Sequence, residues 1–233
     1  MVDTLSITLA QLNQSVGDIP GNARAMLAAR ERARGQGADL VVFPEMQLVG
    51  YPAEDLVLKP AFVARAAEEL EAMARVTADG GPAMLVGSIF VQDGALHNGI
   101  ALLDGGRVAA IRLKHELPNY GTFDEVRLFQ PGPLPEPIGF RGVMIGLPIC
   151  EDVWHPDVCR HLADFGAELF ICVNGSPYEI DKDTLRIEGV AKRRAADTGL
   201  PLAYLNRVGG QDELVFDGAS FVVNGDGSLA VQL

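Results

Sequence analysis

The sequence predicts an α/β protein in which helices cover a mixed sheet. Three observations carry that prediction. Short apolar runs with strand character alternate with segments of helical apolar spacing along the whole chain. Two pairs of these strands are joined through tight glycine-bearing turns, Asp104-Gly105-Gly106 and Asn224-Gly225-Asp226-Gly227, which makes the sheet mixed rather than all parallel. The 233 residues are 48% hydrophobic, enough for one domain with a substantial core, and no internal repeat, low-complexity stretch or linker marks a domain boundary.

Taken in order, Leu5 to Gln11 puts Leu5, Ile7 and Leu9 on one face, the period-two signature of a strand. Gly17 to Pro20 reads as a turn, and Asn22 to Arg34 as a helix carrying Ala23, Met26, Leu27 and Arg30, with Gly35 as its stop. Leu40 to Phe43 is a short continuous apolar strand, buried on both faces, and Pro44-Glu45 follows at once. Pro60 to Thr77 has Phe62, Ala66, Leu70 and Met73 at helical spacing behind an early proline. Ala83 to Val91 is a strand, and His97 to Leu103 with Val108 to Leu113 form the first hairpin. Lys114 to Pro137 is irregular and holds five prolines, and so long a segment without structure is usually functional.

Val143 to Ile149 returns to strand and ends abruptly on Cys150, Glu151 and Asp152, with His155-Pro156 opening a helix to Phe165. Leu169 to Val173 is a strand, Asn174 to Asp183 a loop, and Thr184 to Thr198 a helix with Ile187, Val190, Ala191 and Ala195 inward. Pro201 to Asn206 is a strand, and Gly218 to Val223 with Leu229 to Leu233 make the last hairpin. A chain that stops on a strand is read as truncated, with a further domain expected beyond it.

Composition narrows the function. A formal charge of −12, from 19 basic against 31 acidic residues, argues against nucleic acid as a partner, because phosphate contacts need a basic surface. No apolar run reaches the roughly 18 residues of a membrane helix, and the N-terminus lacks the basic-then-apolar layout of a signal peptide. Three cysteines at irregular spacing make no disulfide framework, which fits a reducing compartment. These features together predict a soluble cytoplasmic protein with no membrane partner.

Glu45, Lys114 and Cys150 share a position, each directly following an apolar strand. Ligands of open α/β sheets bind beyond the carboxyl ends of strands, so these side chains can converge. Singly, each has an ordinary explanation: a solvated loop acid, a surface hairpin lysine, a packed thiol. Together they supply a nucleophile, a proton acceptor and a cation for an oxyanion, the minimum for acyl transfer through a thioester. A sharp strand–turn–helix passage at Cys150 exposes a nucleophile beside free backbone N–H groups, and a nearby ammonium favours its thiolate.

Two other constellations are weaker. Cys150, His155, Cys159 and His161 match no common zinc spacing, so no metal is expected and Cys159 and Cys172 are read as fillers. Gly209-Gly210 and Gly225 to Gly227 give neither dinucleotide nor P-loop patterns; turns explain both, and the chain shows no ATP or NAD site.

The segments around these residues resemble the carbon–nitrogen hydrolase, or nitrilase, superfamily with its Glu-Lys-Cys triad. The likeness narrows to the N-terminal glutaminase domains of glutamine-dependent NAD synthetases. It is carried by Phe43-Pro44-Glu45 with Gly50 to Leu56, by Leu117 to Glu125, by Ile149 to Trp154, and by Asn174 to Pro177. The resemblance implies an α-β-β-α sandwich packed sheet to sheet. It implies Cys150 as nucleophile on the side-chain amide of L-glutamine, Glu45 as general base and acid, and Lys114 as oxyanion cation, with Glu125 as a supporting acid. It further implies substrate contacts from Tyr120, Glu151, Trp154, Ser176 and Lys182, with Arg186 as an alternative to Lys182. No cofactor is implied in this chain; ATP and Mg2+ belong to a synthetase domain that receives ammonia and is absent here. A homo-oligomer is implied as well. Two further readings are a free-standing amidase for another small amide, and a catalytically silent assembly domain. The segments Tyr51 to Leu58 and Asn119 to Glu125 favour the synthetase branch over the first, and the intact triad weighs against the second.

Overall fold

The central strands alternate as their apolar patterns require, and their two faces serve different cores. The computed structural model describes residues 4–233. Strands β1 (Ile7–Leu9), β2 (Leu40–Val42) and β3 (Ala83–Gln92) run parallel, and β4 (Ala95–Asp104) and β5 (Arg107–Leu113) follow antiparallel, giving a sheet in the order β1-β2-β3-β4-β5. The second half of the chain contributes β6 (Ile138–Phe140), β7 (Val143–Gly146), β8 (Leu169–Asn174), β9 (Leu202–Asn206), β10 (Val208–Gln211), β11 (Leu214–Asp217), β12 (Phe221–Val223) and β13 (Leu229–Gln232). Six of these form the second sheet, ordered β13-β12-β9-β8-β7-β6 with β7, β8 and β9 parallel, while β10 and β11 pair only with each other.

The sheets pack face to face. Leu40, Val42, Leu85, Ile100 and Leu102 of the first meet Ile145, Ile149, Ile171, Val173 and Leu205 of the second. Val41, one residue out of phase with Leu40 and Val42, faces the other way, onto Met26 of α1 (Ile19–Gly35) and Leu70 and Met73 of α2 (Pro60–Val76). A short helix, α3 (Glu125–Leu128), interrupts the long irregular segment. On the outer face of the second sheet, Val158 and Leu162 of α4 (Pro156–Asp164) pack with Phe170, Cys172 and Tyr204. Ala191 and Ala195 join them from the helix built of α5 (Lys182–Thr184), a π-helical stretch Leu185–Ala191, and α6 (Lys192–Thr198). The result is the four-layer α-β-β-α sandwich.

Several local expectations need correction. Helix α1 begins a turn early because Asp18 caps it, accepting from the Gly21 N–H at 3.0 Å, and Pro20 occupies its first turn rather than ending a loop. The strand expected over Val143 to Ile149 pairs only to Gly146; Pro148 has no N–H to give, and Ile149 rejoins through a lone bridge to Val173. Gly209 and Gly210 are not a turn but sit in β10. Gly209, at φ +120°, lies where any Cβ would strike the Asn13 side chain. The last helix starts at Lys182 and carries the π stretch, a distortion often found at functional sites.

Candidate active site

Each of the three strand-end residues is delivered by a break in a ladder. Glu45 lies three residues beyond β2, Lys114 directly follows β5, and Cys150 follows the Ile149 bridge. All three side chains are buried, so the loop-acid and surface-lysine explanations do not hold. The Lys114 Nζ donates to Glu45 Oε1 at 2.7 Å and to both oxygens of Glu125 at 2.9 Å. Glu45 Oε1 also accepts from Asn98 Nδ2 at 2.7 Å, and Oε2 from the Gly175 N–H at 2.9 Å. Glu125 Oε1 accepts from Tyr51 Oη at 3.0 Å, and the buried Arg207 guanidinium, 4.3 Å from the Phe216 ring centre, donates to the Tyr51 carbonyl. Two glycines permit this density. A Cβ on Gly87 would lie 2.5 Å from the Met46 nitrogen, and one on Gly175 2.9 Å from the Tyr51 ring.

Cys150 sits at φ +48°, in the left-handed region that side chains rarely adopt, and opens the helical turn Cys150–Val153. That is the sharp passage the sequence predicts, with the first amides of a helical turn beside the thiol.

The electrostatics modify one expectation. Burial alone would pull the Lys114 pKa down, but the Glu125 and Glu45 carboxylates outweigh it and hold the ammonium well above the usual lysine value. Burial pushes the Glu125 carboxyl up against the opposing pull of Lys114. The Cys150 thiol is raised, first by burial and then by the Glu45 charge; Lys114 acts in the predicted direction but loses. That direction favours the thiol over a standing thiolate, so activation falls to a neighbouring base.

The candidate substrate residues fall into three sets of contacts. Tyr120 Oη donates to Glu151 Oε2 at 2.8 Å, and His155 Nε2 lies 3.4 Å from the other Glu151 oxygen. Lys182 Nζ stands 5.3 Å from the centre of the Trp154 ring and 3.2 Å from Glu179. Ser176 adjoins Gly175, its Oγ accepting from Arg186 Nε at 3.1 Å and its N–H donating to Asn206 Oδ1 at 3.0 Å. Arg186 is not a free alternative to Lys182. It is fully buried, donating to the carbonyls of Ser176 and Pro177 at 2.9 and 2.8 Å and to both Asp217 oxygens. Its work is to hold the Ser176 loop.

Asn98, Asp152 and Arg207 are parts of the site that sequence reasoning missed. Asn98 stands beside His97 in a mostly apolar strand, which is a visible signal; Asp152 sits in the turn after Cys150 and Arg207 follows β9, and neither position announces its partner. Cys159 is a core residue, with burial pushing its thiol up to about 12, and Cys172 packs in the same cluster. Among the described residues, no group of three or more His, Cys, Asp or Glu side chains comes together to hold a metal ion.

Residues 6–233 match the carbon–nitrogen hydrolase family. The glutamine-dependent NAD(+) synthetase of Rhodobacter capsulatus is 51% identical over 100% of this chain, which covers 42% of that relative. The solved glutamine-dependent NAD+ synthetase of Acinetobacter baumannii superposes with a TM-score of 0.92 at 36% identity, over 97% of this chain and 43% of that one. A cysteine-to-alanine mutant of the Nesterenkonia AN1 amidase, from the nitrilase superfamily, gives 0.84 at 29% identity, over 98% of this chain and 86% of that one. The chain thus spans about two fifths of the synthetases it matches and nearly the whole amidase. With its fold, its buried Glu-Lys-Cys set and this match over almost its full length, the chain belongs to the carbon–nitrogen hydrolase family.

Proposed function

We propose that this chain is the glutamine-hydrolysing portion of a glutamine-dependent NAD(+) synthetase. One observation supports the chemistry above all: a buried Glu45–Lys114–Glu125 ion set whose charges all bear on the Cys150 thiol at a strand end. As Sγ attacks the side-chain amide carbon of glutamine, Glu45 takes the thiol proton. Lys114, with the Glu151 backbone N–H, stabilises the tetrahedral oxyanion. Glu45 passes the proton to the leaving ammonia, then deprotonates the water that cleaves the thioester and returns that proton to the departing Cys150 sulfur as glutamate is released. Glu125 keeps Lys114 charged and aimed.

Recognition of an amino acid needs an acid for its ammonium and a cation for its carboxylate. Glu151, braced by Tyr120, suits the first role, and Lys182, on the Trp154 ring, the second. Ser176, next to the Gly175 amide that binds Glu45, is the further candidate contact. The ammonia serves amidation of nicotinic acid adenine dinucleotide in a partner synthetase domain, and ATP and Mg2+ belong to that domain. The assignment of glutamine draws on the names of the synthetases above. A homo-oligomer in the cytoplasm completes the proposal; among the described residues no helix is long and apolar enough to cross a membrane.

The test is ammonia release from L-glutamine, asparagine and simple aliphatic amides, with wild type and Cys150→Ala. The proposal expects glutamine to be preferred and Cys150→Ala to be inactive but folded, since the change removes one sulfur atom. Preference for an aliphatic amide would replace glutaminase with amidase, and full turnover in Cys150→Ala would remove the mechanism.

A further inference from the structure

Asp152 is fully buried two residues beyond the nucleophile, and no step of the mechanism uses it. Its carboxylate gathers three backbone amides. Oδ2 accepts from the Ile149 N–H at 2.9 Å, while Oδ1 accepts from those of His115 at 3.1 Å and Glu116 at 2.7 Å. Ile149 precedes Cys150, and His115 follows Lys114. The two segments leave different sheets, β7 in one and β5 in the other, so no ladder of backbone hydrogen bonds ties them together.

We infer that Asp152 is a positioning residue, a clamp that fixes the Cys150 turn against the Lys114 loop so that nucleophile and oxyanion cation share one register. The inference rests on the reading of Cys150 and Lys114 given above.

The ionised carboxylate suits this place best, because all three neighbours are donors and the charged form accepts most strongly from each. A proton on either oxygen removes the charge that strengthens these bonds and weakens that side of the clamp. Burial raises this carboxyl to about 7, against the pull of the three amides and of Lys114; the thiols of Cys159 and Cys172 also couple to its charge. The clamp should therefore loosen as pH falls through neutrality. Stability linked to this one group moves the opposite way: an acid whose folded pKa is raised binds its proton more tightly when folded, so that contribution improves as pH falls. Opposite slopes for turnover and stability are something a merely structural acid would not produce.

Asp152→Asn is the variant to make, because it keeps size and shape but turns an NH2 toward one of the three N–H groups. Glutamine hydrolysis should lose about 10- to 100-fold in kcat with KM changed by less than about threefold, the scale of a misplaced supporting contact. The variant's kcat should also lack the wild-type decline between pH 8 and pH 6. Should Asp152→Asn fail to fold, hydrogen exchange on wild type reads the same clamp: protection of at least one of the His115, Glu116 and Ile149 amides should fall over that pH range while β8 stays protected. A folded Asp152→Asn with wild-type kcat and pH profile, or protection unchanged with pH, overturns the inference. Cys150→Ala separates the two levels: if it is inactive while Asp152→Asn is normal, only the clamp fails, and if it is active the underlying mechanism fails.

Discussion

Replacing Lys114 with methionine removes one ammonium and leaves two buried carboxylates without their shared partner. Nζ lies 2.7 Å from Glu45 and 2.9 Å from Glu125. Their nearest charged oxygens are therefore no more than about 6 Å apart, and at an effective dielectric of about 20 their repulsion alone is about 3 kcal/mol. Breaking a buried pair by deleting one member costs about 3–5 kcal/mol by the same reasoning. For a domain of this size each kcal/mol moves Tm by about 2–4 °C, so Lys114→Met should melt roughly 6–20 °C below wild type at pH 8. The pH dependence has a definite sign. Without Lys114 two buried like charges face each other, so the penalty is fully present at high pH, where both are ionised, and shrinks as protons are taken up. Thermal unfolding followed by near-ultraviolet circular dichroism at pH 8 and pH 5 should show a smaller deficit at pH 5. Lys114→Met/Glu125→Gln, which deletes one of the stranded charges, should recover a substantial part of the loss at pH 8. A Lys114→Met Tm within about 2 °C of wild type, or a deficit independent of pH, would refute the claim that these three groups act as one paired set.

Two further outcomes follow from the same geometry. Asn98→Ala removes a donor at 2.7 Å from the Glu45 carboxylate, and should cost about 1.5–3 kcal/mol in unfolding free energy, measured by denaturant titration, along with turnover. Tyr120→Phe removes the brace on Glu151, and steady-state kinetics should show a raised KM for glutamine with kcat little changed.

The parts of this molecule that were legible in its sequence are those set by local pattern. Leu40, Val41 and Val42 form an apolar run buried on both faces, and the strand they make points Glu45 at the site; Pro156 and the turn before it announced both α4 and the break at Cys150. What escaped depends on partners far along the chain. Asn98 meets Glu45 across 53 residues, Asp152 meets His115 across 37, and Arg207 meets Tyr51 across 156; no periodicity encodes such pairings. The β10–β11 hairpin escaped because Gly209 and Gly210 break the alternation of their strand. The upward shift of the Cys150 thiol escaped for a different reason: a neighbouring lysine can be guessed from sequence, but the burial that outweighs it cannot.

The central claim is that Cys150 is a nucleophile in a pocket shaped for glutamine. Intact-mass analysis after treatment with 6-diazo-5-oxo-norleucine, a glutamine-mimicking electrophile, tests both parts together. The account predicts a single adduct mapped to Cys150, blocked by excess glutamine and absent from Cys150→Ala. No adduct, with Cys150 still alkylated by a nonspecific thiol reagent, would contradict the glutamine pocket; an adduct at Cys159 or Cys172 instead would contradict the nucleophile.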